Sequence, residues 1–243
     1  MSDKIVIITG ASGGIGGATA KLLASKGATI ALAARREEKL RQVAAEIQAS
    51  GGKASVHQVD VTDKGQVTSL VDDVVRRYGR LDVMINNAGL MAIAPLSIAK
   101  TDEWDRMIDV NIKGLLYGVA AALPVFEKQQ SGHFVNIASL VGIKVLSPGG
   151  TVYSGTKFAV RAISEGLRHE VGGKIRTTVI SPGVVDTELK FASSHEESRN
   201  FVLDFYKIAI PAEAIAQAIA YAVEQPASVD VNEIVIRPTA QDF

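Results

Sequence analysis

The chain contains no cysteine, which excludes disulfides, zinc–thiolate sites and a thiol nucleophile and is compatible with a reducing compartment. It carries no net charge either, since 26 basic and 26 acidic residues cancel among its 243. No long-range field therefore recruits nucleic acid or an anionic membrane, and any phosphate must be bound locally. Met1-Ser2-Asp3-Lys4 passes straight into a strand-length apolar run, with no longer apolar stretch and no small-residue cleavage site. The expectation is a cytoplasmic protein with neither a nucleic-acid nor a membrane partner. Four histidines, at 57, 133, 169 and 195, match no metal-ligand spacing, so no metal is assigned. Repeats, low-complexity segments and Pro/Gly-rich linkers are also missing, so one domain over residues 1–243 is expected.

What is present is an apolar fraction of 47% against 21% charged, enough to bury a full core. Seven β-branched apolar runs read as strands: Ile5 to Thr9, Thr29 to Ala33, Ala54 to Gln58, Val83 to Ile85, His133 to Ala138, Arg176 to Ile180 and Glu233 to Ile236. Helix-period stretches separate them, such as Glu37 to Ser50 closed by Gly51-Gly52. Such alternation predicts βα units and an α/β fold with a parallel sheet covered by helices on both faces. One long irregular stretch stands out between Thr187 and Pro211, polar at Ser193 to Glu197 and apolar at Phe201, Val202, Leu203, Phe205 and Tyr206. Loops of that length usually bind or cover a ligand.

Strand one ends in Thr9-Gly10-Ala11-Ser12-Gly13-Gly14-Ile15-Gly16, and a helical pattern begins at once. Glycines at 10, 14 and 16 let backbone N–H groups approach a pyrophosphate at a helix N-terminus, although a glycine turn also arises for plain geometric reasons. The spacing is G-x3-G-x-G. Asn86-Asn87-Ala88-Gly89 follows strand four, Asn111 lies in Val110-Asn111-Ile112-Lys113-Gly114, and Ser139 follows strand five. Tyr153-Ser154-Gly155-Thr156-Lys157 opens a helix, and Pro182-Gly183 follows strand six. Taken together, in this order and at these element ends, the motifs resemble the short-chain dehydrogenase/reductase family, and the closing Asn232 to Thr239 resembles its NADP-dependent 3-hydroxy-acid (serine-type) and broad ketone-reductase branch. Gly13 and Gly155 depart mildly, standing where many members have Ser, Arg or Lys, and Ala.

The resemblance implies a doubly wound Rossmann-type sandwich, strand order 3-2-1-4-5-6-7, with ligands beyond the carboxyl ends of the strands. Tyr153 and Lys157 are four apart and share one helix face, so the ammonium is expected to lower the phenol's pKa of about 10. By resemblance Tyr153 is the acid/base, Lys157 also holds the nicotinamide ribose, Ser139 binds the substrate oxygen, and Asn111 anchors a proton-relaying water. Ser139 as a strand-end turn and Asn111 as a buried helix distortion are the bland alternatives. Asn87, Ala88 and Gly89 are expected on the adenosine side, Asp60 and Val61 at the adenine, and Pro182, Gly183, Val185 and Thr187 beside the nicotinamide. Asp63 reads as a helix N-cap.

Strand two ends in Leu32-Ala33-Ala34-Arg35-Arg36, with alanine where an NAD enzyme needs a carboxylate for the ribose 2′-OH. A guanidinium binds a 2′-phosphate bidentately, so Arg35, helped by Arg36 or Ser12, points to NADP(H). The expected reaction is ketone/aldehyde and alcohol interconversion on a small molecule. Leu140, Val141, Val145 and Leu146, with Phe191, Phe201 and Phe205 from a substrate loop over residues 188–210, suggest a lipophilic pocket. The rivals are a carboxylate substrate held by Lys144, Lys190 or Arg199, and an idle nucleotide-sensing protein. The resemblance also implies a homotetramer built on helices beginning near Thr101 and Thr151. Gly114, Gly118, Ala121 and Ala122 suit close helix approach, between subunits or within one.

Overall fold

In the computed structural model, which describes residue 1 and residues 3–242, seven strands pair in parallel in the order three-two-one-four-five-six-seven. The elements run β1 (Ile5–Thr9), α1 (Gly14–Ser25), β2 (Thr29–Ala34), α2 (Glu37–Ala49), β3 (Lys53–Gln58), α3 (Lys64–Tyr78) and β4 (Val83–Asn86). They continue with α4 (Thr101–Ile108), α5 (Gly114–Gln129), β5 (Gly132–Ile137), α6 (Thr151–Glu170) and β6 (Ile175–Pro182). The chain closes with α7 (Glu196–Phe205), α8 (Ala212–Glu224) and β7 (Glu233–Ile236). Strand bounds differ from the sequence expectation by one or two residues, chiefly because ladder pairing carries β6 through Ser181 and Pro182, opposite Val235 and Ile236.

Side chains alternate across a strand, so β1 serves two cores at once. Val6 and Ile8 join Leu32, Leu23, Ile47, Ile219 and Val223 on the α1, α2 and α8 side. Ile5 and Ile7 face Leu70, Val71, Phe126 and Phe134 on the α3 and α5 side. Phe126 and Phe134 are fully buried and meet edge to face at 4.9 Å, where truncation of either ring to Ala costs about 3–5 kcal/mol. Asp63 does cap α3, its Oδ1 accepting from the Gln66 N–H at 3.1 Å.

One expectation is overturned, and one that the sequence left open is decided. The region after Thr187 is not irregular. It holds a short 3-10 turn at Glu188–Phe191, then α7, then a second such turn at Tyr206–Ile208. Its polar half is tied down: buried Ser193 accepts the Ile93 N–H at 2.9 Å, and the Ser194 N–H donates to the buried Glu103 carboxylate at 3.0 Å. His195 then accepts from the Ser198 N–H and caps α7, with Glu196 and Glu197 in the first turn where the helix dipole favours them.

The small-residue face of α5 is likewise spent inside the subunit. A Cβ on Gly118 would lie 2.1 Å from Asn86 Oδ1, one on Gly114 would lie 2.9 Å from Val61, and Ala122 is fully buried. These residues let the helix lie close on β4 and on Val61 in the segment after β3. The outward residues near them are instead Ile108 and Leu116, with Phe158 exposed on α6. The continuous helical run Thr101–Gln129 is long and apolar enough to cross a membrane by length and composition alone, but here it flanks the sheet and packs against α3, β4 and β5.

Candidate active site

A cavity of about 580 Å³ runs along the carboxyl ends of the central strands, within the range of about 300–1,000 Å³ for ligand pockets. Its position is where a doubly wound sheet places ligands. One end is lined by Ser12, Ala34, Arg35, Arg36, Asp60 and Val61, the other by Ser139, Val141, Leu146, Tyr153, Lys157 and Phe201. The glycine turn and the segment from Pro182 to Thr187 line it between them.

The glycine turn fits a phosphate-bearing cofactor on its own geometry. Gly10 and Gly14 hold φ of +67° and +52°, which L side chains rarely adopt. Gly13, the N-cap of α1, offers no side-chain cap, and the first turn holds no acidic residue. The orphan N–H groups and the positive end of the helix dipole are thus left to whatever lies in the cavity. Gly16 departs from its expected role because it does not line the cavity. A Cβ there would lie 2.5 Å from Gly10 O and from Asn87 Nδ2, so hydrogen is required for helix packing. Asn87 buttresses the same turn, donating from Nδ2 to Thr9 O at 2.8 Å and to Gly10 O at 3.2 Å. Thr9 Oγ1 accepts the N–H groups of Asn87 and Ala88, both at 3.1 Å.

Between α4 and α5 the helix widens into one π turn, Asp109–Lys113, centred on buried Asn111. Such turns recur at functional sites. Asn111 Oδ1 accepts from the Leu90 N–H at 2.8 Å, while Nδ2 donates to Leu90 O at 2.9 Å and to Thr156 Oγ1 at 3.0 Å. Both amide hydrogens are therefore committed to protein, and Asn111 does not line the large cavity. It ties the loop after β4 to α6, one residue from Lys157. Gly89 stands between the two groups, with Asn111 Oδ1 and Lys157 Nζ each 3.6 Å from where its Cβ would be.

Ser139 leaves β5 in extended conformation; its Oγ donates to Pro182 O and accepts from the Val141 N–H, both at 3.3 Å. Tyr153 and Lys157, on the inner face of α6, are 6% and 4% exposed. Here the expected electrostatics are reversed. Burial, with Tyr206 nearby, pushes the Tyr153 phenol well above its ordinary value, and a hydrogen bond with Ser139 opposes this only in part. Burial lowers Lys157 to about 8. Lys157 Nζ donates to Ile137 O at 2.9 Å and lies 5.9 Å from the Tyr153 ring centre. Desolvation of both groups outweighs their mutual attraction, since each is dry and the ammonium is aimed at a carbonyl.

At the opposite end Arg35 and Arg36 are exposed. Arg36, rather than Arg35, is tied to the glycine turn, with Nη2 donating to Ser12 Oγ at 3.0 Å. Its Nη1 also meets Glu188 at 2.6 Å, and Lys39 meets the same carboxylate at 2.6 Å. These two cations hold the Glu188 carboxyl below its ordinary value, Lys39 foremost.

The expected substrate pocket is partly redrawn. Phe201 and Phe205 line the cavity, stacked at 6.1 Å. Phe191 does not, being 58% exposed. In a 3-10 turn residues three apart share a face, so Leu189 and Ala192 point in and Phe191 points out. Val145 is exposed as well. None of Lys144, Lys190 or Arg199 reaches the lining; Lys190 pairs with Asp186 at 2.6 Å. The sequence reading missed Lys39, Glu188, Tyr206 and Gln241, none of which lies in a motif, and Arg106. Arg106 stands one helical turn before Val110, which packs against the core cluster that contains Val59 and Val61.

The family model for short chain dehydrogenases matches residues 4–198. An uncharacterized oxidoreductase of Staphylococcus saprophyticus is 48% identical over 246 aligned positions, spanning 100% of this chain and 99% of that one. An alcohol dehydrogenase from the archaeon Thermococcus sibiricus, complexed with 5-hydroxy-NADP, superposes with a TM-score of 0.88 at 31% identity, covering 99% of this chain and 98% of that one. The closed form of a serine dehydrogenase complexed with NADP+ gives 0.90 at 30%, covering 98% and 96%. A short-chain dehydrogenase/reductase of Burkholderia phymatum, in complex with NAD, gives 0.88 at 25%, covering 96% and 89%. With a family model matching most of the sequence and a relative 48% identical over the whole chain, this chain belongs to the short-chain dehydrogenase family of oxidoreductases.

Proposed function

We propose that the protein is an NADP(H)-dependent reductase of neutral ketones and aldehydes, running reversibly to the alcohol. The observation that carries this reading is the burial of the Tyr153 phenol beside Ser139 and Lys157, at a cavity end that Val141, Leu146, Phe201 and Val202 also line. Gly10, Ser12, Gly13, Gly14 and Ile15 would hold the pyrophosphate, Asp60 and Val61 the adenine, and Arg35 and Arg36 a 2′-phosphate. Asn87, Ala88 and Gly89 would flank the adenosine side, and Pro182, Gly183, Val185 and Thr187 the nicotinamide. The bound cofactor supplies or accepts the hydride at the carbon.

Tyr153 donates its phenolic proton to the carbonyl oxygen, breaking the Tyr O–H bond as the alcohol O–H forms. Ser139 exchanges its long contact with Pro182 O for one with the same oxygen; a donor aimed at developing negative charge contributes about 2.7–4 kcal/mol. A phenol held above its ordinary value is fully protonated at neutral pH, which suits reduction. Lys157, lowered to about 8, is still largely protonated near that pH, so its ammonium can pass a proton to the tyrosinate and, as a neutral amine, regain one from solvent. Asn111 acts through Leu90 and Thr156 as a positioning residue. A carboxylate substrate, the alternative, has lost its expected cations: among the charged residues lining the cavity, Arg35, Arg36 and Arg106 stand toward the adenosine end, and Lys157 is committed to Ile137 O.

Absorbance of NADPH with a panel of ketones, aldehydes and 3-hydroxy acids tests this reading. Turnover of neutral carbonyls supports it, turnover of hydroxy acids alone replaces it with the carboxylate alternative, and binding without turnover leaves a nucleotide sensor. A homotetramer through Ile108, Leu116 and Phe158 goes with this proposal, and a monomeric mass by light scattering rejects it.

A further inference from the structure

The nicotinamide end of the cavity contains a polar group that belongs to no motif. After β7, residues 237–241 turn back on themselves, with the Gln241 N–H donating to Pro238 O at 3.0 Å. The tail crosses directly over Gly183, where a Cβ would lie 2.2 Å from Gln241 Oε1 and 2.7 Å from Arg237 Cβ. Any larger residue at 183 would push the tail off. Gln241 is 5% exposed and lines the cavity.

Its amide orientation is determined by its partner. The Val184 N–H donates at 3.0 Å, so the atom facing Val184 must be the oxygen. Nε2 then donates to no described residue. Gln241 lines the cavity, which leaves Nε2 available to a ligand held there. A buried amide with both hydrogens unspent is costly unless a ligand or water accepts from it. Two residues earlier, Pro182 O holds Ser139 Oγ, which places the amide on the same flank of the site as the residue that would bind the reacting carbonyl. That carbonyl is already served by Ser139 and Tyr153.

We infer that Gln241 is a substrate-recognition residue and that it donates to a second, neutral acceptor oxygen of the substrate: a second ketone, an ester carbonyl or an amide carbonyl. An anionic group fits less well, because among the described residues no uncommitted cation lines this end of the cavity. The inference rests on the reading of the site as a carbonyl reductase and names its substrate class.

The test compares kcat/KM for 1,4-cyclohexanedione and 4-methylcyclohexanone with NADPH, in wild type, Gln241→Leu and Gln241→Glu. The ratio of the two values cancels effects common to both ketones. In both variants the dione/monoketone ratio falls about tenfold, as expected for one lost hydrogen bond, while the NADPH Kd stays within about twofold. Gln241→Glu keeps an oxygen for the Val184 N–H, so it covers the case in which Gln241→Leu disturbs the tail. An unchanged ratio, an equal loss with both ketones, or a weakened NADPH Kd overturns the assignment of Gln241 alone. Failure of the wild type to reduce either ketone overturns the reductase reading, and this inference with it.

Discussion

The two ends of the cavity follow opposite electrostatic rules. At the adenosine end, Arg35, Arg36, Lys39 and Glu188 are charged and largely in contact with water, so each interaction is screened and individually weak. At the nicotinamide end, Tyr153 and Lys157 are almost fully buried, and the loss of water is the largest influence on the protonation of each. In the proposed reading, binding specificity rests on the sum of several modest contacts, while the chemistry rests on one or two buried groups. Breaking each end should give effects of very different size.

The largest effect belongs to Tyr153→Phe, which removes the proton donor and little else. Steady-state kinetics should show kcat down by about 10²–10⁴-fold with NADPH affinity near that of the wild type. Retention of more than about a hundredth of wild-type kcat would show that the buried phenol is not the acid.

Lys157→Met should separate stability from activity. A lysine whose folded value lies at about 8 against 10.5 imposes a penalty on the native state that is full below about 8 and relieved as pH rises toward 10.5, where the unfolded chain alone still binds the proton. The variant should therefore gain up to about 3 kcal/mol at pH 7, less whatever its hydrogen bond to Ile137 O contributes, while losing turnover. Denaturant melts at pH 7 and pH 10 check the sign: the gain must shrink at the higher pH.

The adenosine end comes next. Replacing Ala34 by Asp together with Arg35 and Arg36 by neutral residues should invert the preference for NADPH over NADH, a change of about ten- to hundredfold in each direction. Arg36 is included because it, and not Arg35, reaches Ser12 on the glycine turn. Equal use of both cofactors by the wild type would show that these guanidiniums read no phosphate.

The smallest effect tests the exposed ion pairs. Glu188 occupies Arg36 and Lys39, so Glu188→Gln should free both cations and tighten NADP+ by at most about fivefold, leaving NAD+ unchanged, with the gain vanishing at high salt. Fluorescence titration of both nucleotides reads it directly. Weaker NADP+ binding would mean that Glu188 instead holds Arg36 in place.

Much of this was readable before any coordinate. Seven apolar runs, a glycine turn and Tyr153 four residues before Lys157 are local patterns, and local patterns survive in the linear text because the strand and helix periods that produce them are local. The strand order followed from the family those motifs resemble, and Asp63 as a cap followed from its position before a helix. What tertiary structure alone decided was environment. Sequence put a phenol beside an ammonium and implied a lowered phenol, whereas burial raised it, because desolvation depends on everything packed around the pair. Polar Ser193 and Ser194 looked like part of a loose loop until Ile93 and Glu103, distant in sequence, supplied their partners. The inward face of a single 3-10 turn chose Leu189 over Phe191, and the return of the chain end across Gly183 brought Gln241 to the site. Each of these depends on contacts between residues far apart in the chain, and no pattern of spacing encodes a contact of that kind.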